Sequence, residues 1–105
     1  MSQRTWNEHP QARDELLAEA DRLPPDIAEQ LIDNVAAAIQ DIVDGPDSWP
    51  IVHYWDEQPT LRWRRIKPFR LRIVYYVADD EVRILAYAHE AREPGYWRSR
   101  LASNG

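Results

Sequence analysis

The sequence contains no cysteine. This excludes a disulfide framework and thiolate chemistry, and it points to a reducing compartment. Glycine is nearly as scarce: the only three are Gly45, Gly95 and Gly105. None of them opens a helix after a strand, so a phosphate-cradling loop and nucleotide hydrolysis are not expected. The three histidines, His9, His53 and His89, are scattered without metal-ligand spacing. No metal and no cofactor are expected. No apolar run is long enough to cross a bilayer, and the start, Met1 to Trp6, lacks the core of a signal peptide, so a cytoplasmic protein is expected. Lysine is reduced to Lys67; the other twelve of the 13 basic residues are arginine.

At 105 residues the chain is expected to form a single domain over 1–105. Its net charge of −5 conceals a division. Residues 1–60 carry 13 Asp and Glu against three Arg, a balance of −10, whereas residues 61–105 carry five acids against ten bases, a balance of +5. Guanidinium suits bidentate contact with phosphate or carboxylate and stacking on aromatic rings. An arginine-rich strand face can equally be a solvated surface that keeps edges from aggregating.

The acidic half reads as helical. His9-Pro10 opens a first helix, with Asp14 and Glu15 near its positive end and an apolar stripe of Leu16, Leu17, Ala20 and Leu23. Pro24-Pro25 ends it and starts a second helix, whose Ile27, Leu31, Val35, Ala38, Ile39, Ile42 and Val43 form a one-sided stripe. Gly45-Pro46 is expected to supply a left-handed cap and a stop. So short a connection predicts an antiparallel helical hairpin. Residues 48–60 alternate imperfectly and read mostly as loop.

The basic half reads as strands over Arg62–Ile66, Phe69–Val77 and Glu81–His89. Leu71, Ile73, Tyr75 and Val77 fall on one face of the middle strand, with Arg70, Arg72, Val74 and Tyr76 on the other. In the next strand Val82, Ile84, Ala86 and Ala88 alternate against Arg83, Leu85, Tyr87 and His89, and Asp79-Asp80 forms a tight turn between the two. This places Arg, Tyr and His on a shared surface. With the helices on one face, the other is expected to stay open. Pro94 to Leu101 reads as a short helix whose Tyr96, Trp97 and Leu101 pack back, with fraying beyond Leu101.

The succession Phe69-x-x-Arg72-Ile-Val-Tyr75, an Asp-rich hairpin, Val82-x-Ile-Leu-Ala-x-Ala-His89 and Arg92-x-Pro-x-Tyr96-Trp97-Arg98 resembles the C-terminal half of the RelE/ParE superfamily of bacterial toxins. The helix pair and Trp49-Pro50 match as well, so the resemblance covers most of the chain. It implies an α+β fold: an N-terminal strand at Gln3–Asn7, a helical hairpin packed on an antiparallel sheet of three or four strands, and a short C-terminal helix. It also implies the toxin of a type II toxin-antitoxin module, neutralised by a cognate antitoxin that docks on the sheet and the helical hairpin.

Two targets follow from the two branches. RNA can be cleaved without metal when its 2′-hydroxyl attacks the adjacent phosphate, given a base, cations for the developing charge and an acid for the leaving oxygen. His89 suits the base or acid role, and Tyr96 could donate a proton or stack on a nucleobase. Carried over from the messenger-RNA-cleaving, ribosome-dependent branch, Arg65, Arg72, Arg92 and Tyr96 join His89 as candidate catalytic residues. That branch's strand lysines are replaced here by Trp63 and Arg65, which removes its best base, and the negative net charge does not favour a ribosomal encounter. The ending Pro94-Gly95-Tyr96-Trp97 is similar to the ParE branch, whose members bind and inhibit DNA gyrase. On that reading nothing is catalytic, and Arg62, Arg64, Arg70, Arg83, Trp97 and Arg98 are the expected partner-binding residues. A third reading is a degenerate, non-toxic binding module. Each residue also has a plainer role: His89 bonding its following turn, Tyr75 in the core, and Trp6, Trp49, Trp63 and Trp97 as packing.

Overall fold

The computed structural model describes residues 4–102. The chain runs β1 (Thr5–Glu8), α1 (Pro10–Asp21), α2 (Pro25–Asp44), a 3₁₀ turn at Pro46–Ser48, β2 (Arg62–Ile66), β3 (Leu71–Ala78), β4 (Glu81–His89) and α3 (Ser99–Ala102). The four strands lie in the order β1-β4-β3-β2. β2, β3 and β4 are antiparallel, while β1 joins β4 in parallel, so the sheet is mixed. Gln3 of the expected first strand lies outside the described residues, as do residues 103–105 of the expected frayed end.

Local chemistry explains the boundaries. Pro10 and Pro25 each occupy the first turn of a helix, where a missing N–H costs nothing. His9 caps α1, its Nδ1 accepting from the Gln11 N–H at 3.1 Å. Asp79 and Asp80 take φ of 54° and 60°, the left-handed pair that a two-residue hairpin turn requires. Gly45 departs from expectation. It ends α2 at φ −155°, outside the left-handed region, and its N–H closes the last turn on the Asp41 carbonyl at 3.2 Å.

The helices cover one face of the sheet. Leu31, Val35, Ala38, Ile39, Ile42 and Val43 of α2 are buried against Leu71, Ile73, Tyr75, Val82, Ile84 and Tyr87. Leu16 and Ala20 of α1, and Leu23 just after it, pack on this core, but Leu17 is 52 % exposed and drops out of the expected stripe.

Two expectations about the sheet are overturned. A bulge between β3 and β4 pairs Val74 with Ala86 and Tyr75 with Ile84, leaving Leu85 as the extra residue. Beyond it the alternation reverses. Tyr87 and His89 lie opposite Ile73 and Leu71 on the helix side, and Ala86 and Ala88 lie opposite Val74 and Arg72 on the far side. Arg72 and Tyr76 of β3 therefore do not share a surface with Tyr87 and His89 of β4. Nor is the far side open: Val52 and Leu61 from the long loop, and Trp97 from the C-terminal segment, bury Val74, Tyr76, Leu85 and Ala86 in a second core. Tyr54 and Trp55 pack on Trp97 as tilted ring pairs with centroids 6.3 and 5.9 Å away. The loop lacks a helix or strand period, and the tail, whose Tyr96, Trp97 and Leu101 pack back as expected, carries no sign in the sequence of which surface it covers.

Candidate functional site

β1 ends opposite Ile84, where the His9 N–H bonds the Ile84 carbonyl at 2.9 Å. From there on, among the described residues, β4 has no neighbouring strand on that side, and an ion pair takes the strand's place. The Tyr87 N–H donates to Glu15 Oε1 at 3.1 Å, and Arg100 Nη1 donates to the Leu85 carbonyl at 3.1 Å. The two side chains grip each other: Arg100 Nη1 and Nη2 reach the Glu15 carboxylate at 2.8 and 3.0 Å. The same carboxylate accepts from the Tyr96 hydroxyl. Backbone groups that would otherwise be orphaned are thereby satisfied. Burial, and then the Glu15 hydrogen bond, push the Tyr96 phenol well above its usual range. Tyr87 is likewise pushed up by burial and by its 2.6 Å hydrogen bond to Glu8.

The candidate catalytic residues fall into two groups on opposite sides of the sheet. Arg65 and Arg72 are cross-strand partners, both exposed on the far side. The Arg72 guanidinium lies 4.4 Å from the Trp63 ring centroid, and Arg65 pairs with Glu90 at 3.2 Å. A guanidinium held over a ring, as Arg72 is, can grip carboxylate or phosphate. His89 lies on the helix side, lining a cleft of about 610 Å³ with Arg22, Leu71, Arg92 and Tyr96. Its Nδ1 accepts from the Ala91 N–H at 3.0 Å, the plain turn role expected of it. Arg92 stacks on Tyr96 at 3.7 Å and approaches Glu15 at 3.8 Å.

Several residues expected to meet a partner are engaged within the fold. Arg62 donates to the Trp49 carbonyl at 2.7 Å, and Arg64 pairs with Asp41 at 2.5 Å while lying 4.8 Å from the Trp49 ring. Arg83 bonds Glu81 and Asp79 of its own hairpin at 3.1 and 3.4 Å. Trp97 is 1 % exposed, at the centre of the second core. Arg70 and Arg98 are exposed. Trp6, expected to be packing, is 44 % exposed. Among the described residues no group of three or more His, Asp or Glu is placed to hold a metal ion, and no helix is long and apolar enough to cross a membrane.

Glu15 and Arg100 are the site residues that sequence reasoning missed. The available signal was the spacing of Tyr96 and Arg100, one helical turn apart beside Trp97 and Leu101, which marks the tail as two-faced. Nothing in one dimension joins that turn to Glu15.

A family model described as the ParE toxin of the type II toxin-antitoxin system, parDE, matches residues 9–94. No match is found among curated proteins.

Proposed function

The chain belongs to the ParE toxin family of type II toxin-antitoxin systems, and from that premise we propose that it arrests growth by binding DNA gyrase and does not cut RNA. The observation that carries this reading is the division of the candidate catalytic groups: His89, Arg92 and Tyr96 share one cleft, and Arg65 and Arg72 lie outside it. Arg65 and Arg72 lie across the sheet from His89, and the Tyr96 hydroxyl is committed to Glu15. In-line cleavage needs base, acid and cations around one phosphate. A binding surface needs only anchored arginines and aromatics, and Arg72 stacked on Trp63 beside Arg65 is such an anchor. The family also implies a cognate antitoxin that holds the toxin inactive.

The test is induced expression in a bacterium without antitoxin, with DNA and protein synthesis labelled separately within minutes. The expected result is an early stop in DNA synthesis, intact messages and trapped gyrase cleavage complexes, relieved by Arg72→Ala together with Arg65→Ala. A prompt collapse of translation with cut messages would replace the gyrase reading with the ribonuclease one. Unimpeded growth would leave the non-toxic binding module.

A further inference from the structure

The β2–β3 hairpin concentrates positive charge: residues 62–72 hold six cations and no acid. Two of the six are spent inside the fold, Arg62 on the Trp49 carbonyl and Arg64 on Asp41. Arg65 lies 3.2 Å from Glu90, with its side chain still 47 % exposed. Lys67, Arg70 and Arg72 are exposed and have no carboxylate partner among the described residues. Outside the hairpin only Arg98 shares that condition, because Arg4, Arg13, Arg22, Arg83, Arg92 and Arg100 each meet a carboxylate. The available cations also fall together. Trp63, Val74 and Ala86 form one row across the far face of the sheet, and Arg65, Arg72 and Ala88 form the next. The second core covers the first row at Val74 and Ala86, while Arg65 and Arg72 stay exposed. Like charges set directly opposite each other on neighbouring strands cost stability. The Trp63 ring, 4.4 Å from the Arg72 guanidinium, holds one of the two in place. Lys67 and Arg70 continue the positive edge around the turn that joins the strands.

We propose that this end of the hairpin, through Arg65, Lys67, Arg70 and Arg72, grips the phosphate backbone of the duplex DNA that gyrase holds, so that the toxin recognises the enzyme–DNA complex over the free enzyme. The inference rests on the gyrase reading. Phosphate is favoured over the acidic side chains of a protein by what the hairpin lacks: among the described residues, none of the large exposed apolar side chains lies within 62–72. The centre of a protein–protein contact is apolar and aromatic and depleted of charge, whereas a contact with nucleic acid is polar and strongly positive. Arg70 and Arg72 are two residues apart, about 7 Å along an extended chain. Together with Lys67 they present a line of charge, which suits a polyanion with a repeating charge better than a single carboxylate. Each guanidinium can fork onto two phosphate oxygens, and Lys67 adds a point charge. The net charge of −5 opposes an encounter with DNA alone. The hairpin therefore acts on DNA that the enzyme has already positioned.

The experiment measures binding of the full-length toxin to purified gyrase, free and saturated with a linear duplex fragment, over a series of salt concentrations. The wild type is compared with a double variant, Lys67→Gln with Arg70→Gln, which removes two exposed charges that hold no ion pair in the fold. DNA is expected to tighten wild-type binding by about tenfold or more. The double variant is expected to lose most of that gain, and its salt slope on the DNA-loaded enzyme is expected to be shallower by about two, one for each phosphate contact removed. The toxin alone is expected to bind the same fragment only weakly. Equal wild-type affinity for free and DNA-loaded gyrase would overturn the proposal. So would a gain that survives in the double variant, since DNA would then act through the conformation of the enzyme. An equal loss of affinity for the free enzyme would also overturn it, by turning the hairpin toward protein. In these three cases the gyrase reading stands. A wild-type chain that binds gyrase in neither form would overturn both.

Discussion

Glu15 in α1 and Arg100 in α3 stand 85 residues apart in sequence and meet bidentately at 2.8 and 3.0 Å over the unpaired edge of β4. With side chains 15 % and 8 % exposed, the pair is largely out of water. Arg100 is pulled two ways: burial disfavours its charge, but the Glu15 carboxylate holds its pKa above the usual range. Glu15→Gln leaves a buried guanidinium without its counter-charge and is expected to cost about 3–5 kcal/mol in urea unfolding. Replacing both residues is expected to cost less than the sum of the single changes.

Tyr96→Phe removes one donor from the same carboxylate and keeps the ring. It is expected to lower stability by about 1–2 kcal/mol while leaving growth inhibition intact, because the hydroxyl is used inside the fold. Loss of toxicity in a variant that melts like the wild type would return Tyr96 to the catalytic residues.

Trp97→Ala empties the middle of the second core and is expected to cost about 3–5 kcal/mol, enough to abolish much of the near-ultraviolet circular dichroism of a small domain. Trp6→Ala, at a residue 44 % exposed, is expected to change stability by about 0.5 kcal/mol or less.

These contrasts mark what the sequence makes legible. Helix and strand periods carry directional information, so the α2 stripe, the Asp79-Asp80 turn and the antiparallel β2-β3-β4 order could be read directly. The Leu85 bulge could not, because one inserted residue changes no composition and shifts only the phase of the alternation. That phase error placed Tyr87 and His89 on the wrong face, and the expected catalytic surface with them. The second core was hidden for a different reason: Val52 and Trp55 reach the sheet from a loop without a period, and the spacing of the tail shows that Trp97 packs back but not onto which face. Family resemblance supplied β1, whose Thr5–Glu8 has no apolar pattern of its own.

Asp80→Gly is expected to stabilise the protein by about 0.5–1 kcal/mol, since Asp80 pays a left-handed penalty that glycine does not. The ion pair lost with it, Arg4 to Asp80 at 3.1 Å, has a carboxylate side chain 80 % exposed and contributes little. A raised thermal midpoint would show the effect.

His9 gives the fold a pH dependence. Burial, and then the Arg100 guanidinium, hold its imidazole below the usual 6.5 against the opposing pull of Glu15. The folded chain therefore takes up this proton less readily than the unfolded chain. The contribution is complete above the unfolded value and is lost as pH falls through 6.5 and then through the lower folded value. Protonation also removes the Nδ1 acceptor that caps α1. Urea midpoints measured from about pH 7.5 to about pH 5.5 are expected to fall, and His9→Asn, which keeps a capping acceptor, is expected to flatten that decline.

Trp97 and Arg100 also set a timetable. Both leave the ribosome after all four strands, so during synthesis the sheet exists for a time with Val74, Leu85 and Ala86 bare and half of β4 offering its backbone to any passing chain. A nascent toxin is thus at its stickiest until Trp97 and Arg100 emerge, and the turn that carries them is what closes an aggregation-prone intermediate.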